Sequence, residues 1–353
     1  MIPSSILKVF LPSVVSFIIG ILITPLFTKY FYQYKLWKRS SRLDNDDAMS
    51  EAFKKLHVHN EKSETGTPRV GGIIIWVSVV IVILAIFILS KIVGGPMFDK
   101  LDFLSRGQTL LPLSALVLGG LFGLLEDTFE IFGDRFHQFR NGMKGQNVIV
   151  VTLIGLLASF WFYFKLGMHT VHIPFAGDLN IGWLFIPFFV IVVLGTFSSR
   201  VIDGIDGLAG GVMAVAFAAY GMIAYTKDLI DIAALCMVIV GGILAFLWFN
   251  IPPARFYMGE TGMLGLTLTL AFVAFLTNSV VILLVIGILL VATSLSSTIQ
   301  ITSKKYFGKK VFLVAPLHHH FQALGWSREK ITMRYWIIAI MAAVVGVIIA
   351  ILG

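Results

Sequence analysis

Long apolar runs restrict the fold of this chain more than any other feature. There are ten, at about 5–27, 70–90, 109–125, 148–164, 183–197, 208–225, 232–249, 261–276, 279–295 and 335–352. Each is close to the length a helix needs to cross about 30 Å of hydrocarbon. The runs are continuously apolar and do not alternate, so they predict helices and not barrel strands.

Composition supports the same class. The chain is 58% hydrophobic and only 13% charged, far from a soluble domain. We therefore expect an all-α polytopic membrane protein with about ten transmembrane helices, forming a single domain over residues 1–353. The single cysteine, Cys236, lies in the seventh run and predicts a small core residue.

The basic residues predict an orientation. Of the 27 Lys and Arg, 21 fall in one family of loops, at 28–69, 126–145, 198–207, 250–260 and 296–334. By the positive-inside rule these loops are cytoplasmic, and both termini are outside. The first run carries only Lys8 and no small-residue cleavage site, which predicts a retained helix and not a signal peptide. The net charge of +8 also suits anionic lipid or a phosphorylated ligand, and no basic-aromatic pattern indicates nucleic acid.

Polar side chains collect at the cytoplasmic ends of several runs. The segments are "LFGLLEDTFEIF" with Glu126 and Asp127, "SSRVIDGIDGLAGG" with Asp203 and Asp206, and "FLWFNIPPARFYMGETGMLG" with Asn250 and Glu260. Carboxylate and amide oxygens are ligands for a hard cation, and Mg²⁺ takes one or two protein carboxylates and leaves its other positions to water and phosphates. The sequence therefore predicts an active site at the cytoplasmic face.

Each segment also has a simpler interpretation. Glu126 and Asp127 could be an ordinary acid pair at a helix end, the glycine-rich segment 203–211 a solvated turn, and the three histidines at 318–320 a polar loop. All of them fall on one predicted face, however, which independent loop residues have no reason to do. Lys144 and Arg200 on that face could bind phosphate oxygens or balance the acids.

This combination favours transfer of a phosphorylated group to a lipid, because phosphoryl transfer depends mainly on positioning and charge stabilisation. A transporter is disfavoured, since the polar groups gather at one face and not at mid-membrane.

Several segments carry a family resemblance. They are "GTPRVGGI", "GLLEDTFEIF", "IPFFVIVVLGTFSSRVIDGIDGLAGG", "PPARFYMGETG" and "SSTIQITSKKYFGKKVFLVAPLHHHFQALGW". Together they resemble the phospho-N-acetylmuramoyl-pentapeptide transferases, within the polyprenyl-phosphate N-acetylhexosamine-1-phosphate transferase superfamily. The acidic segments are typical of the whole superfamily, whereas "APLHHHF" followed by Gly-Trp is typical of the muramoyl branch.

The resemblance implies a reaction and its partners. Phospho-MurNAc-pentapeptide passes from UDP-MurNAc-pentapeptide to undecaprenyl phosphate, giving lipid I and UMP in peptidoglycan biosynthesis. Mg²⁺ is the implied cofactor, the bacterial inner (cytoplasmic) membrane the implied location, and a homodimer an expectation of the family.

Residue roles follow from the same resemblance. The implied catalytic residues are Asp127 (a base on the lipid phosphate), Asp203, Asp206, His318 and His319. The implied substrate-binding residues are Glu126, Lys144, Arg200, Asn250, Gln300 and His320, and the implied Mg²⁺ ligand is Glu260.

The chain departs from the family pattern at five positions. Glu126 and Glu260 stand where Asp is expected, Glu130 where Lys is expected, Arg200 where Asn is expected, and Met263 where Ser is expected. One hypothesis is compensation, in which Arg200 offsets the unusual acids Glu126 and Glu130. Two alternatives to the muramoyl reaction stay open: a sister transferase that moves another UDP-sugar 1-phosphate, such as GlcNAc-1-phosphate, and a catalytically weak relative that binds lipid or nucleotide.

Overall fold

The computed structural model describes residues 4–37, 66–92, 95, 101–104, 107–132 and 146–353. In this part of the chain there are twelve α-helices: α1 Ser4–Gln33, α2 Ile73–Ile92, α3 Gly107–Ile131, α4 Gln146–Phe160, α5 Phe185–Ser198, α6 Leu208–Thr226, α7 Ile230–Asn250, α8 Gly259–Leu276, α9 Leu283–Ile286, α10 Ile288–Phe307, α11 Leu317–Ala323 and α12 Arg328–Leu352. A π-helical turn, Trp161–Lys165, continues α4, and 3-10 turns cover Gly182–Leu184 and Ser199–Ile202. Strands β1 (Thr170–Ile173) and β2 (Gly177–Asn180) form one antiparallel hairpin.

Nine helices among the described residues are long and apolar enough to cross a membrane, namely α1 to α8 and α12. This confirms a multi-pass helical protein, to which the structure adds the small β-hairpin. The ninth predicted span, 279–295, is divided between two helices. A break at Gly287 separates the short α9 from α10, and α10 continues into "TSKKYF".

The buried centre of the bundle consists of α6, α7 and α8. Of their apolar windows, 78%, 78% and 94% respectively are buried inside the protein. Around them, α1 and α2 pack on α7, α3 packs on α8, and α12 packs on α6. Helices that are apolar on every side belong in such a position. Cys236 of α7 is fully buried in this centre, as predicted.

Helices α3 and α8 cross at backbone contact. A Cβ added to Gly119 would lie 2.8 Å from the Cα of Gly265, and one added to Gly123 would overlap the carbonyl oxygen of Glu260. Small residues at such spacing let helices in membranes approach closely. The crossing brings Asp127, one turn beyond Gly123, against the first turn of α8.

The two ends of the bundle differ in what they hold. At one end, which we call the far end, the ring of His172 lies 3.2 Å from the carbonyl oxygen of Gly353, and Lys8 pairs with Asp231. At the opposite end, the site end, Thr332 near the start of α12 donates a hydrogen bond to the carbonyl oxygen of Asp206. The start of α1 and the end of α12 therefore share the far end; which side of the membrane that end faces stays a prediction.

Candidate active site

The acidic segments converge at the site end. Asp127 comes from the end of α3, Asp203 and Asp206 from the loop after α5, and Glu260 from the first turn of α8. Hydrogen bonds between these elements join the three segments into one cluster.

The first turn of α8 is bound by two of these carboxylates. The amide of Gly259 donates to Asp203 Oδ2 at 3.0 Å, and the amides of Glu260 and Thr261 donate to Asp127 at 3.2 and 2.8 Å. These N–H groups have no partner within the helix, and the positive end of the helix dipole favours anions there. The start of α8 thus holds Asp127 and Asp203 in fixed positions.

Gly259 makes this arrangement possible. Its φ is +66°, and a Cβ there would overlap the carbonyl oxygen of Arg69 and lie 2.5 Å from Asp127 Oδ2. Only glycine adopts such a conformation without strain while leaving room for a second backbone. The glycine of "GETG" therefore determines how closely the segment before α2 approaches the acids.

Arg69 is a site residue that the sequence interpretation missed. Its Nη1 donates to Glu130 Oε2 at 3.1 Å. Burial alone lowers the pKa of Arg69, but the carboxylates of Glu130 and then Asp127 raise it above its ordinary value, so the guanidinium stays charged. The motif "GTPRVGG" was the available signal, because its arginine directly precedes a membrane span.

Asp203 and Asp206 are half-buried, and each has one oxygen engaged by the backbone. Asp206 Oδ2 accepts a hydrogen bond from the amide of Ala254 at 3.2 Å. Burial raises the pKa of Asp203 to about 6; Arg69 and the Gly259 amide oppose this, while Glu260 and Asp206 add to it. In the described part of the chain the Oδ1 atoms of Asp203 and Asp206 accept no hydrogen bond, which leaves them available to a ligand.

Arg200 lies between two acids. Its Nη1 is 2.8 Å from Glu260 Oε2, although not in hydrogen-bond geometry, and 3.6 Å from Glu126 Oε1. Its guanidinium carbon lies 4.3 Å from the centroid of the Phe197 ring. Of the two acids in the compensation hypothesis, Glu126 pairs with Arg200, and Glu130 pairs with Arg69. The nearer acid of Arg200 is Glu260. An effect of this pairing on activity stays a prediction.

The departure at Met263 falls in the hydrophobic core of the bundle, where its side chain is 1% exposed.

Two of the three histidines lie against the loop after α5. His318 is fully buried, and a Cβ on Gly204 would lie 2.5 Å from its Nε2 and 3.2 Å from the Nε2 of His319. Burial lowers the pKa of His318 well below its ordinary value, and His319 lowers it further, so His318 is neutral. Neither ring nitrogen of His318 has a hydrogen-bond partner among the described residues, whereas His319 Nδ1 lies 2.6 Å from Gln322 Oε1.

Asn250, an implied substrate-binding residue, joins two loops of the site. Its Oδ1 accepts a hydrogen bond from the amide of Gly207 at 2.9 Å, and its Nδ2 donates to the carbonyl oxygen of Phe256 at 2.8 Å. This geometry shows a structural contribution, and contact with the substrate stays a prediction.

Gln300 and His320 have similar positions at the segment before α11. Gln300 Oε1 accepts from the amides of Val311 and Phe312 at 3.0 and 2.9 Å, and His320 Nδ1 accepts from the amide of Leu313 at 3.3 Å. Both side chains hold the 311–313 segment against the bundle. Lys144 lies outside the described residues.

Comparison with known proteins identifies the family. The profile described as Glycosyl transferase family 4 matches residues 110–278. A phospho-N-acetylmuramoyl-pentapeptide-transferase from Geobacillus sp. (strain WCH70) is 32% identical over 95% of this chain and 96% of its own length. Proteins of the same name from Levilactobacillus brevis and Chloroflexus aggregans are 36% and 35% identical, each over 82% of this chain and over 85% and 78% of their own lengths. The chain belongs to the phospho-N-acetylmuramoyl-pentapeptide transferase family. The resemblance read from the sequence is thereby confirmed.

The family expectation of Mg²⁺ can be compared with the donors present. The described residues contain no group of three or more His, Cys, Asp and Glu side chains placed to hold a metal ion. Mg²⁺ does not need one, because one or two carboxylates suffice where phosphates and water complete the shell. The amide of Gly259, next to Glu260, donates to Asp203, and the charge of Glu260 raises the pKa of Asp203, so the two carboxylates repel each other. That pair fits a magnesium ion.

Proposed function

We propose that this protein transfers phospho-MurNAc-pentapeptide from UDP-MurNAc-pentapeptide to undecaprenyl phosphate, forming lipid I and UMP. The observation that carries the proposal is the convergence of Asp127, Asp203, Asp206 and Glu260 at one end of the bundle, beside His318 and His319. The names of the relatives supply the substrate class.

In the reaction, an oxygen of the lipid phosphate attacks the sugar-bearing phosphorus of the donor. The bond from that phosphorus to the bridging oxygen breaks, and UMP leaves with the electron pair. Asp127 accepts the proton of the lipid phosphate as the base. Asp203 and Asp206 position the reacting groups through their Oδ1 atoms. His318, neutral and with no described partner, is suited to donate a hydrogen bond to a pyrophosphate oxygen.

Glu260, with Asp203, is the proposed holder of Mg²⁺. When bound, the ion would offset the charge of the pyrophosphate and polarise it. Glu126, Lys144, Arg200, Asn250, Gln300 and His320 are proposed to bind or orient the substrates. The two long segments 35–69 and 301–332 have the length needed to receive a pentapeptide.

We further propose that the site end faces the cytoplasm across the bacterial inner membrane, and that the protein forms a homodimer there. In the sequence, 21 of the 27 basic residues fall in the family of loops that contains Arg69, Arg200 and Glu260, which supports the orientation. Cysteine labelling in a Cys236→Ser background checks it: a cysteine at Asp178 should react with an impermeant reagent in intact cells, and one at Ser327 should not. The reverse pattern would overturn the orientation.

A turnover assay tests the reaction itself. Purified protein is supplied with polyprenyl phosphate and either UDP-MurNAc-pentapeptide or UDP-GlcNAc, with Mg²⁺ or with EDTA, and UMP release is measured. We expect Mg²⁺-dependent turnover with a preference for UDP-MurNAc-pentapeptide. Equal or better use of UDP-GlcNAc would indicate the sister transferase, and no turnover of either donor by monodisperse protein would indicate a non-catalytic relative.

A further inference from the structure

The side chain of Arg200 occupies the space between two acids of the site. Glu126 Oε1 and Glu260 Oε2 lie 3.6 and 2.8 Å from the same atom, Nη1. A guanidinium is always charged in proteins, so this position holds a permanent positive charge. In the absence of Arg200, a divalent cation between Glu126 and Glu260 would reduce the repulsion between the two carboxylates.

The position of Arg200 is maintained from its other side. The guanidinium stacks on the ring of Phe197, one turn earlier in the chain, at 4.3 Å. Phe197 is itself 4% exposed and packs in the core at the end of α5. This cation–π contact keeps the charge between the acids.

We propose that Arg200 is a positioning residue that acts as a built-in cation: it holds Glu126 and Glu260 together and thereby weakens binding of a divalent metal ion at Glu260. The inference rests on the magnesium site of the proposed function. Two effects act in the same direction. The guanidinium repels an incoming dication, and it already occupies the Oε2 atom of Glu260, whose charge attracts that dication.

Replacing Arg200 should therefore strengthen metal binding. In Arg200→Gln the two acids lose their cation, and a metal ion becomes their best partner. We expect this variant to bind Mn²⁺ about tenfold more tightly than the wild type, or better, because the repulsion removed acts over a few ångströms in a partly buried site. Arg200→Lys keeps the charge and should stay close to the wild type. Phe197→Leu loosens Arg200 without changing any charge and should give a smaller gain.

The measurement is a titration of full-length protein in detergent with Mn²⁺, following the free-ion signal by electron paramagnetic resonance, without nucleotide or lipid substrate. The double variant Arg200→Gln/Glu260→Gln is the control, and it should lose the gain. Equal or weaker Mn²⁺ binding in Arg200→Gln, or a gain that survives the loss of Glu260, would overturn the proposal.

Two further considerations make the test decisive. If Arg200→Gln does not fold, Phe197→Leu decides, because an unchanged Mn²⁺ affinity in that variant contradicts the proposal. The readout also needs no turnover. A protein that binds Mn²⁺ as expected but uses neither UDP-sugar would refute the proposed reaction and leave this inference standing.

Discussion

Asp127 Oδ2 accepts two hydrogen bonds from Thr261, one from its amide at 2.8 Å and one from its hydroxyl at 2.6 Å. A side chain proposed as a catalytic base is therefore also the cap of the most buried helix in the bundle. The two roles are compatible because α8 and the acid come from separate segments, and capping is what fixes the acid in place.

Asp127→Asn tests the capping role. The side-chain NH₂ group of Asn would face the backbone N–H groups of α8, which are also donors. The variant should therefore lose about 1.5–3 kcal/mol of stability, the range for hydrogen bonds to a charged group. Thermal unfolding in detergent measures this. Thr261→Val, which removes only the hydroxyl contact, should cost about 1 kcal/mol. Asp127→Asn as stable as the wild type would show that the cap contributes nothing.

Gly259→Ala tests the close approach at the site. The variant should lose both turnover and thermal stability, because its Cβ overlaps the backbone of Arg69 and its φ is unfavourable. Gly308→Ala is a matched control with φ +65° and no atom within 4 Å of the added Cβ, so only the conformational cost of about 1–2 kcal/mol applies. Equal losses in the two variants would mean that the approach of Arg69 is unimportant.

Arg69→Gln should lower kcat/KM at least about tenfold, since a contribution of about 1.4 kcal/mol to the transition state already has that effect. Its charge offsets Glu130, Asp127 and Asp203 together. Arg255→Gln, in the neighbouring loop and exposed, is the control and should keep nearly full activity. Similar kinetics for both variants would remove Arg69 from the site.

Glu260 should respond to charge more than to length. Glu260→Gln keeps the shape but loses the charge, so turnover should collapse. Glu260→Asp should retain or raise turnover, because it restores the residue expected of the family. The Mg²⁺ dependence of UMP release is the measurement, and unchanged turnover in Glu260→Gln would place the metal elsewhere.

His319→Ala should reduce turnover by about 10²–10³-fold, the loss typical of removing a charge-stabilising donor. Folding should persist, since His319 belongs to the short α11 and its ring contacts Gln322 and the neighbouring His318. His172→Ala at the far end is a control that leaves the site intact. Retained turnover in His319→Ala, with the size-exclusion profile of the wild type, would exclude the donor role.

The helical framework followed from the sequence because each span is a local property of about 20 residues. For the run 279–295, hydrophobicity gave no warning that the helix breaks at Gly287 and continues to Phe307. Charge patterning also grouped the acidic segments correctly on one end of the bundle.

Side-chain partners were beyond such reasoning. Glu126 and Glu130 lie one turn apart, yet Glu126 pairs with Arg200 and Glu130 pairs with Arg69. The crossing of separate helices determines these partners. The same holds for Asn250, whose amide is shared by two loops that only the fold brings together.

The backbone contact of Gly123 with Glu260 has a consequence for how such a protein can diversify. The main chains that carry Asp127 and Glu260 are in contact, so the separation of the two backbones does not depend on side-chain packing. A lineage that acquires a new sugar donor must therefore keep the crossing of α3 and α8 unchanged and vary the surrounding segments, above all 308–327. The crossing is the inherited part of the site, and the loops around it are the part open to adaptation.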